Sequence, residues 1–520
     1  MESIMLYRSS KFLGIKIITL LIFSALFFPG CGFIQEGFIQ EDRPEAPKYV
    51  FLFIGDGMGL SQITAAEIYL YSLKNQDAGR ENLSFSGFPV LGMTATFSSN
   101  SYLTDSAASG TAMASGYKTK NGKINISGDE THSFIPLSEA AQSAGRKIGI
   151  LSCVSLDHAT PASYFARIPQ RWRYYQISLQ MAESGFDFFG GGGLKQPAGR
   201  EGGNRDARCY AREKGYSIIG TKEEFQRLKP GTGKVWAINQ NLSRHSALPY
   251  EIDRPPEDLT LADFTRNAIS MLDNPSGFFI MVEGGKIDWA CHDNDAAAAI
   301  HEMLAFSSAV EEAVGFYHEH RNETLIVVAS DHETGGMVLG SGKVPAGLKL
   351  NLLSYQKMSL DLFNQQIVKP YLDAVPEETR RLDDLWPDIQ KTFGFSSSGG
   401  HEQETLRQKA EQGDPEAQDK LKLVLSPEEW KELEAALSEP GGYSLAFAAV
   451  KILNAKAGIS WGSGGHTALP VPVFALGAGS EIFQGSYDNT DIAKKLFGIM
   501  GLPFPQPVPL KEIEAETSSQ

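Results

Sequence analysis

Four cysteines in 520 residues are too few to staple a chain of this length, which excludes a disulfide-built scaffold. Apart from one segment near the N-terminus, the sequence also lacks long apolar runs, so nothing else in it resembles a membrane span. Basic residues are in deficit. Lys and Arg number 47 against 62 Asp and Glu, giving a formal net charge of -15. That balance excludes a general basic surface for nucleic acid, so anionic substrates would have to be met by local metals or arginines. Fixed-period repeats are missing as well.

What is present begins with Arg8, Lys11 and Lys16 ahead of the apolar run IITLLIFSALFF, which is too short for a comfortable span and reads as an export signal over residues 1–30. Gly30 directly before Cys31 resembles a bacterial lipoprotein signal, with Phe28 where Leu is usual. The expectation is a lipid anchor at Cys31, the alternative being plain secretion with cleavage nearby; both place the protein outside the cytoplasm, at the periplasm or cell surface. The tandem GFIQEGFIQE and the Pro- and Glu-rich residues up to 47 read as a tether. If Cys31 is lipidated, Cys153, Cys209 and Cys291 allow at most one bridge, and Cys153 and Cys291 are expected to be buried free thiols.

From residue 48 onward, nearly continuous apolar runs recur: YVFLFIGDG, KIGILSCVS, FDFFGGGG, GFFIMVEGG, TLIVVASDHETGG and VPVFALGAG. Such runs predict strands buried on both faces. Helical patterns lie between them, including IPLSEAAQSAG and AAAAIHEMLAFSSAVEEAVGFYHEH. The alternation predicts an α/β fold, a three-layer α/β/α sandwich around a central, mostly parallel sheet. Residues 341–460 break the rhythm with charged helical segments, one opened by the capping pattern Ser426-Pro427-Glu428-Glu429, and are read as a helical insertion over the main sheet. The domain is expected to span 48–502, with a tail over 503–520.

Ligands of such sheets gather at the carboxyl ends of strands. Asp56, the segment Asp157-His158-Ala159-Thr160, Glu283 and the pair Asp331-His332 all fall there. Asp288 and His292, four apart at the start of a helical stretch, share one face and can grip a cation, although such a pair alone is commonly a surface pair. His466 sits in a Gly-rich loop before the last apolar strand. His132, His245, His301, His318, His320 and His401 lie in polar or helical surroundings where a solvated or capping role suffices. Mixed Asp and His ligands suit zinc, and the all-oxygen set Asp56, Thr160 and Glu283 suits magnesium. Two cations about 4 Å apart would clamp the attacking and leaving oxygens of an in-line phosphoryl displacement.

The stretch TDSAASGTAMASGYKTKNGKI then acquires a purpose. A serine hydroxyl is a poor nucleophile at neutral pH and needs a base or metal; Ser106, at a helix start whose N–H groups face an incoming oxyanion, would have the metal. Ala107, Ala108, Ser109 and Gly110 are small enough to let substrate and metals approach. Asp105 or Ser106 acting simply as an N-cap is the plainer alternative.

IGDGMG, TDSAASGTAMASGYKTKNGKI, LDHATPASYFAR, VEGGKIDWACHDND, SDHETGG and GGHTALPVPVFALG resemble the alkaline phosphatases, in the same order, over roughly residues 48–340 and 455–502. The resemblance implies Ser106 as a nucleophile forming a phosphoseryl intermediate. It also implies one zinc on Asp288, His292 and His466, a second zinc among Asp56, Asp331, His332 and Ser106, and a magnesium on Asp56, Thr160 and Glu283. The family's phosphate-clamping arginine corresponds by spacing to Arg171 rather than Arg167 or Arg173. His158 and Trp289 stand where some members carry Asp and Lys, both alternatives occurring in the family, which bears on the third metal. Small phosphate monoesters are the implied substrates, and the family is often dimeric. Among rivals, a sulfatase needs a Pro/Arg context around its nucleophile that DSAASGTA lacks, many diesterases use Thr, and a non-catalytic binder would not need the full set of groups.

Overall fold

Successive side chains of a strand point to opposite faces, so a run apolar at every position must be covered on both sides. Tyr49–Ile54 (β1) does this: Val50, Leu52 and Ile54 enter one core, and Tyr49, Phe51 and Phe53 the other. The computed structural model describes residues 46–75, 77–340, 347–397, 401–439 and 443–510. The export signal, Cys31, all of the tether before residue 46 and residues 511–520 of the tail lie outside the described residues.

The central sheet continues with Val90–Ala95 (β2), Lys147–Ser152 (β3), Phe188–Gly191 (β4), Tyr216–Ile219 (β5), Lys234–Ile238 (β6), Phe278–Glu283 (β7), Thr324–Ala329 (β8), Val471–Gly477 (β9) and Gly485–Asp488 (β10). Their order is β10-β2-β9-β8-β1-β7-β3-β4-β6-β5. Neighbours run parallel except at β9, which is antiparallel to both β8 and β2. Helices cover both faces, giving the α/β/α sandwich. Ser106–Ser115, Leu137–Ser143, Tyr174–Glu183 and Thr490–Ile499 pack on one side, and Leu60–Ser72, Leu261–Leu272 and Ala296–Glu319 on the other.

Four strand ends stand level. Ile54 of β1 pairs with Glu283 of β7 and Ala329 of β8, and Ser152 of β3 pairs with Glu283. Residues that follow these positions therefore emerge along one edge, and this register brings Asp56, His158, Glu283 and Asp331 together from distant parts of the chain. Between β8 and β9, Leu350, Leu353, Phe363, Leu385, Phe393, Leu433 and Leu453 bury into the same core as Phe51 and Phe53. Within this segment Ser426 caps Pro427–Leu437 reciprocally with Glu429. Cys153 and Cys291 are buried free thiols; Cys209 is exposed and unpaired. Among the described residues, no helix is long and apolar enough to cross a membrane.

Candidate active site

Ser106 is the first residue of the helix Ser106–Ser115, and Asp105 is its N-cap. Every residue of this helix is buried, which explains its small side chains. A Cβ at Gly110 would come within 2.6 Å of Ser163 Oγ and 3.6 Å of Thr160 Cα, so only glycine lets this helix lie against the Ala159–Ala162 turn that carries Thr160. Ser109 Oγ donates to the carbonyl of Asp331 at 2.6 Å, fastening the helix start to the end of β8. Ser106 Oγ then stands 3.4 Å from His332 Nε2.

Three groups of ligand-type atoms converge here, each within 4.8 Å internally: Asp288, His292 and His466; Asp56, Asp331 and His332; and Asp56, His158 and Glu283. The imidazoles are oriented from behind. His292 Nδ1 donates to the carbonyl of Gly464 and His466 Nδ1 to that of Thr104, each at 2.7 Å. Thr334 Oγ1 donates to Asp288 at 2.6 Å and so accepts from His332 Nδ1 at 3.2 Å. All three rings thus present Nε2 to the site. His292 and His466 bring these Nε2 atoms to 3.1 Å, a distance at which two bare lone pairs repel unless a proton or cation lies between them. Thr160 Oγ1 is 3.3 Å from Asp56 Oδ2, and Ser152 Oγ donates to Glu283.

The electrostatics require positive charge. Asp56 Oδ1, Asp331 Oδ2, Glu283 Oε1 and His158 Nδ1 are buried without a hydrogen bond. Burial and then repulsion from neighbouring carboxylates, Asp331 acting on Asp56 and Asp288 on Asp331, push both well above the carboxylate range. Burial raises Glu283 to about 7 despite its hydrogen bonds from Ser152 and Thr160. Burial, reinforced by His466, holds His332 neutral, the form a metal ligand needs. Asp288 alone is kept low, because His292, His332 and His466 outweigh its burial. Oxygen and imidazole donors in crowded, unneutralised groups fit divalent cations.

Arg171 is the arginine that reaches the site. It donates to Asp105 Oδ2 at 3.0 Å and approaches His158 Nε2 at 3.4 Å. Arg167 is committed to a two-pronged pair with Glu139, and Arg173 to Gln170. Trp289 meets His158 edge-on at 6.0 Å. On its other side Trp289 meets His245 at 5.9 Å, so the loop histidine read from sequence as solvated borders the site. Thr334 and Ser152 were also not legible in sequence, since neutral hydroxyls behind ligands carry no spacing signal.

A buried serine at a helix start, beside grouped carboxylates and imidazoles at the carboxyl edge of an α/β/α sandwich, fits the class of metal-dependent hydrolases. The sequence model of the family described as alkaline phosphatase matches residues 47–502. Alkaline phosphatase 3 of Bacillus subtilis (strain 168) is 30% identical over 500 residues, covering 94% of this chain and 96% of its own. The cold-active alkaline phosphatase of a psychrophilic Shewanella superposes with a TM-score of 0.70 at 27% identity, covering 88% of this chain and 100% of its own. For the Thermus thermophilus alkaline phosphatase the values are 0.71, 25%, 92% and 97%. The chain belongs to the alkaline phosphatase family, whose members are metal-dependent and hydrolyse phosphate monoesters.

Proposed function

We propose that this enzyme transfers the phosphoryl group of a monoester to Ser106 and then to water, using two zinc ions and one magnesium. Asp288, His292 and His466 would hold one zinc, and Asp56, Asp331 and His332, with Ser106, the other. Asp56, Thr160 and Glu283 would hold the magnesium. Bound there, the cations would supply Lewis acidity for the attacking and leaving oxygens. The chain supplies the rest. Amides at the start of the Ser106 helix face the phosphoryl oxygens, and Arg171, aimed by Asp105, binds two of them as a fork. Ser106 Oγ attacks phosphorus in line, the ester oxygen leaves, and water later displaces the serine.

The observation that carries this reading is the 3.4 Å approach of Ser106 Oγ to His332 Nε2, beside three buried carboxylates, Asp56, Asp331 and Glu283, each with one oxygen that accepts no hydrogen bond. A variant of the TAB5 alkaline phosphatase in which one histidine is replaced by glutamate is described with magnesium bound in its M3 site. That precedent supports reading Asp56, His158 and Glu283 as flanking a third cation, with His158 and Trp289 tuning which ion is kept. Export, a lipid anchor at Cys31 and a homodimer complete the proposal; they rest on the N-terminal sequence and on the family resemblance. Ser106→Ala is expected to lower turnover of p-nitrophenyl phosphate by about a thousandfold while leaving metal content intact. An undiminished rate would overturn the assignment.

A further inference from the structure

A cavity of about 300 Å³ opens beside the catalytic edge, lined among others by His158, His292, Lys195, Arg244 and His245. The loop bearing the last two is held in an unusual shape. His245 and Ser246 both adopt left-handed backbone, at φ 59° and 61°, which non-glycine residues rarely do. Ser246 Oγ donates to the carbonyl of Leu194 at 2.9 Å, and the buried Lys286 Nζ donates to that of Leu248 at 2.8 Å, pinning both sides of the strained turn. This loop brings Arg244 and His245 to the cavity, with the His245 ring against Trp289.

The lining carries three basic side chains, Lys195, Arg244 and Lys286, against two carboxylates, in a chain whose formal charge is -15. Its two carboxylates are engaged: Asp293 accepts from the Tyr443 hydroxyl, and Asp361 is paired with Arg244 at 3.5 Å. Lys195 has no carboxylate partner among the described residues; its ammonium rests on the Tyr174 ring at 4.4 Å and the Tyr174 hydroxyl at 3.1 Å. Tyr443 and Asp361 come from the segment between β8 and β9, so this segment contributes part of the cavity lining.

We propose that this cavity is a leaving-group subsite for phosphate monoesters whose alcohol carries a second phosphate, with Lys195 and Arg244 as its anion-binding residues. This rests on the phosphomonoesterase reading above. Lys195 is a specificity residue and takes no part in the chemistry. Its backbone N–H holds Asp157 at 2.9 and 3.1 Å, a contact that a side-chain substitution leaves in place.

The test compares fructose 1,6-bisphosphate, fructose 6-phosphate and p-nitrophenyl phosphate as substrates of the metal-loaded wild type, Lys195→Gln and Lys195→Gln/Arg244→Gln. For the bisphosphate, kcat/KM is expected to fall about tenfold in the single variant and further in the double, with the loss in KM. The two monophosphates should stay within about twofold, which also shows that the variants are folded. Equal losses on all three substrates, or no loss on the bisphosphate, overturn the subsite and leave the phosphatase reading intact. A wild type inert to p-nitrophenyl phosphate overturns the phosphatase reading, and the subsite with it.

Discussion

Asp105 holds Arg171 with one oxygen and the helix of the nucleophile with the other: Oδ2 accepts from the guanidinium at 3.0 Å and Oδ1 from the Ala108 amide at 3.0 Å. Oδ2 also accepts from Gly122 N at 3.0 Å. The N-cap role and the site role, which from sequence look like alternatives, are the two halves of one carboxylate.

Removing it should therefore have separable effects. Asp105→Ala is expected to destabilise the fold by about 1 kcal/mol through the lost cap. It should also raise KM and the inhibition constant of phosphate, because Arg171 loses its anchor. Asp105→Asn keeps a capping oxygen and should recover stability more than phosphate affinity. Arg167→Ala is the control: it breaks the Glu139 pair and should leave phosphate affinity unchanged, whereas Arg171→Ala should weaken it about a hundredfold. Denaturation midpoints and steady-state kinetics on the four variants decide the matter.

Gly57 adopts φ +74°, and a Cβ there would lie 2.8 Å from Asp288 Cα and 3.0 Å from Thr334 Oγ1. Strain and collision act together, and the backbone that must yield carries a ligand-type carboxylate. Gly57→Ala should cost about 2–4 kcal/mol and lower bound metal. Metal analysis and chemical denaturation check this; a fully loaded, equally stable variant would contradict it.

The metal-free protein should show a distinctive pH dependence. Burial lowers His292, but its hydrogen bond to Asp288 and the charge of that carboxylate prevail and push it up to about 9, against 6.5 for the free side chain. A raised folded pKa contributes stability that is complete below the unfolded value and is lost as pH climbs through the folded one. After chelation, the melting temperature should fall between pH 6.5 and 9, and His292→Gln should flatten that slope. An identical slope in the variant would show that the pair is not coupled.

Six of the ten sheet strands were legible because β1, β3, β4, β7, β8 and β9 are apolar at nearly every position. Those missed have reasons. In β2 the exposed Leu91 and Ala95 alternate with buried positions, β5 is a partly exposed edge strand, β6 beside it has only three buried residues between the half-buried Lys234 and Ile238, and β10 is an exposed edge strand. The reversed direction of β9 leaves no trace in hydropathy, since a run buried on both faces looks alike in either direction. Site residues stood out where chemistry sat at a strand end, as at Asp56, Glu283 and Asp331-His332. Thr334, whose hydroxyl links Asp288 to His332, and His245, which meets Trp289 only in space, depend on three-dimensional neighbours.

The central claim is that Ser106 carries the phosphoryl group, and the most direct measurement is to catch it there. Metal-loaded enzyme mixed with p-nitrophenyl phosphate, quenched in acid and digested, should give by mass spectrometry a phosphorylated peptide whose modification maps to Ser106. The signal should vanish after chelation and in Ser106→Ala. Sustained turnover with Ser106 unmodified, or phosphate mapped to another residue at comparable occupancy, would contradict the account.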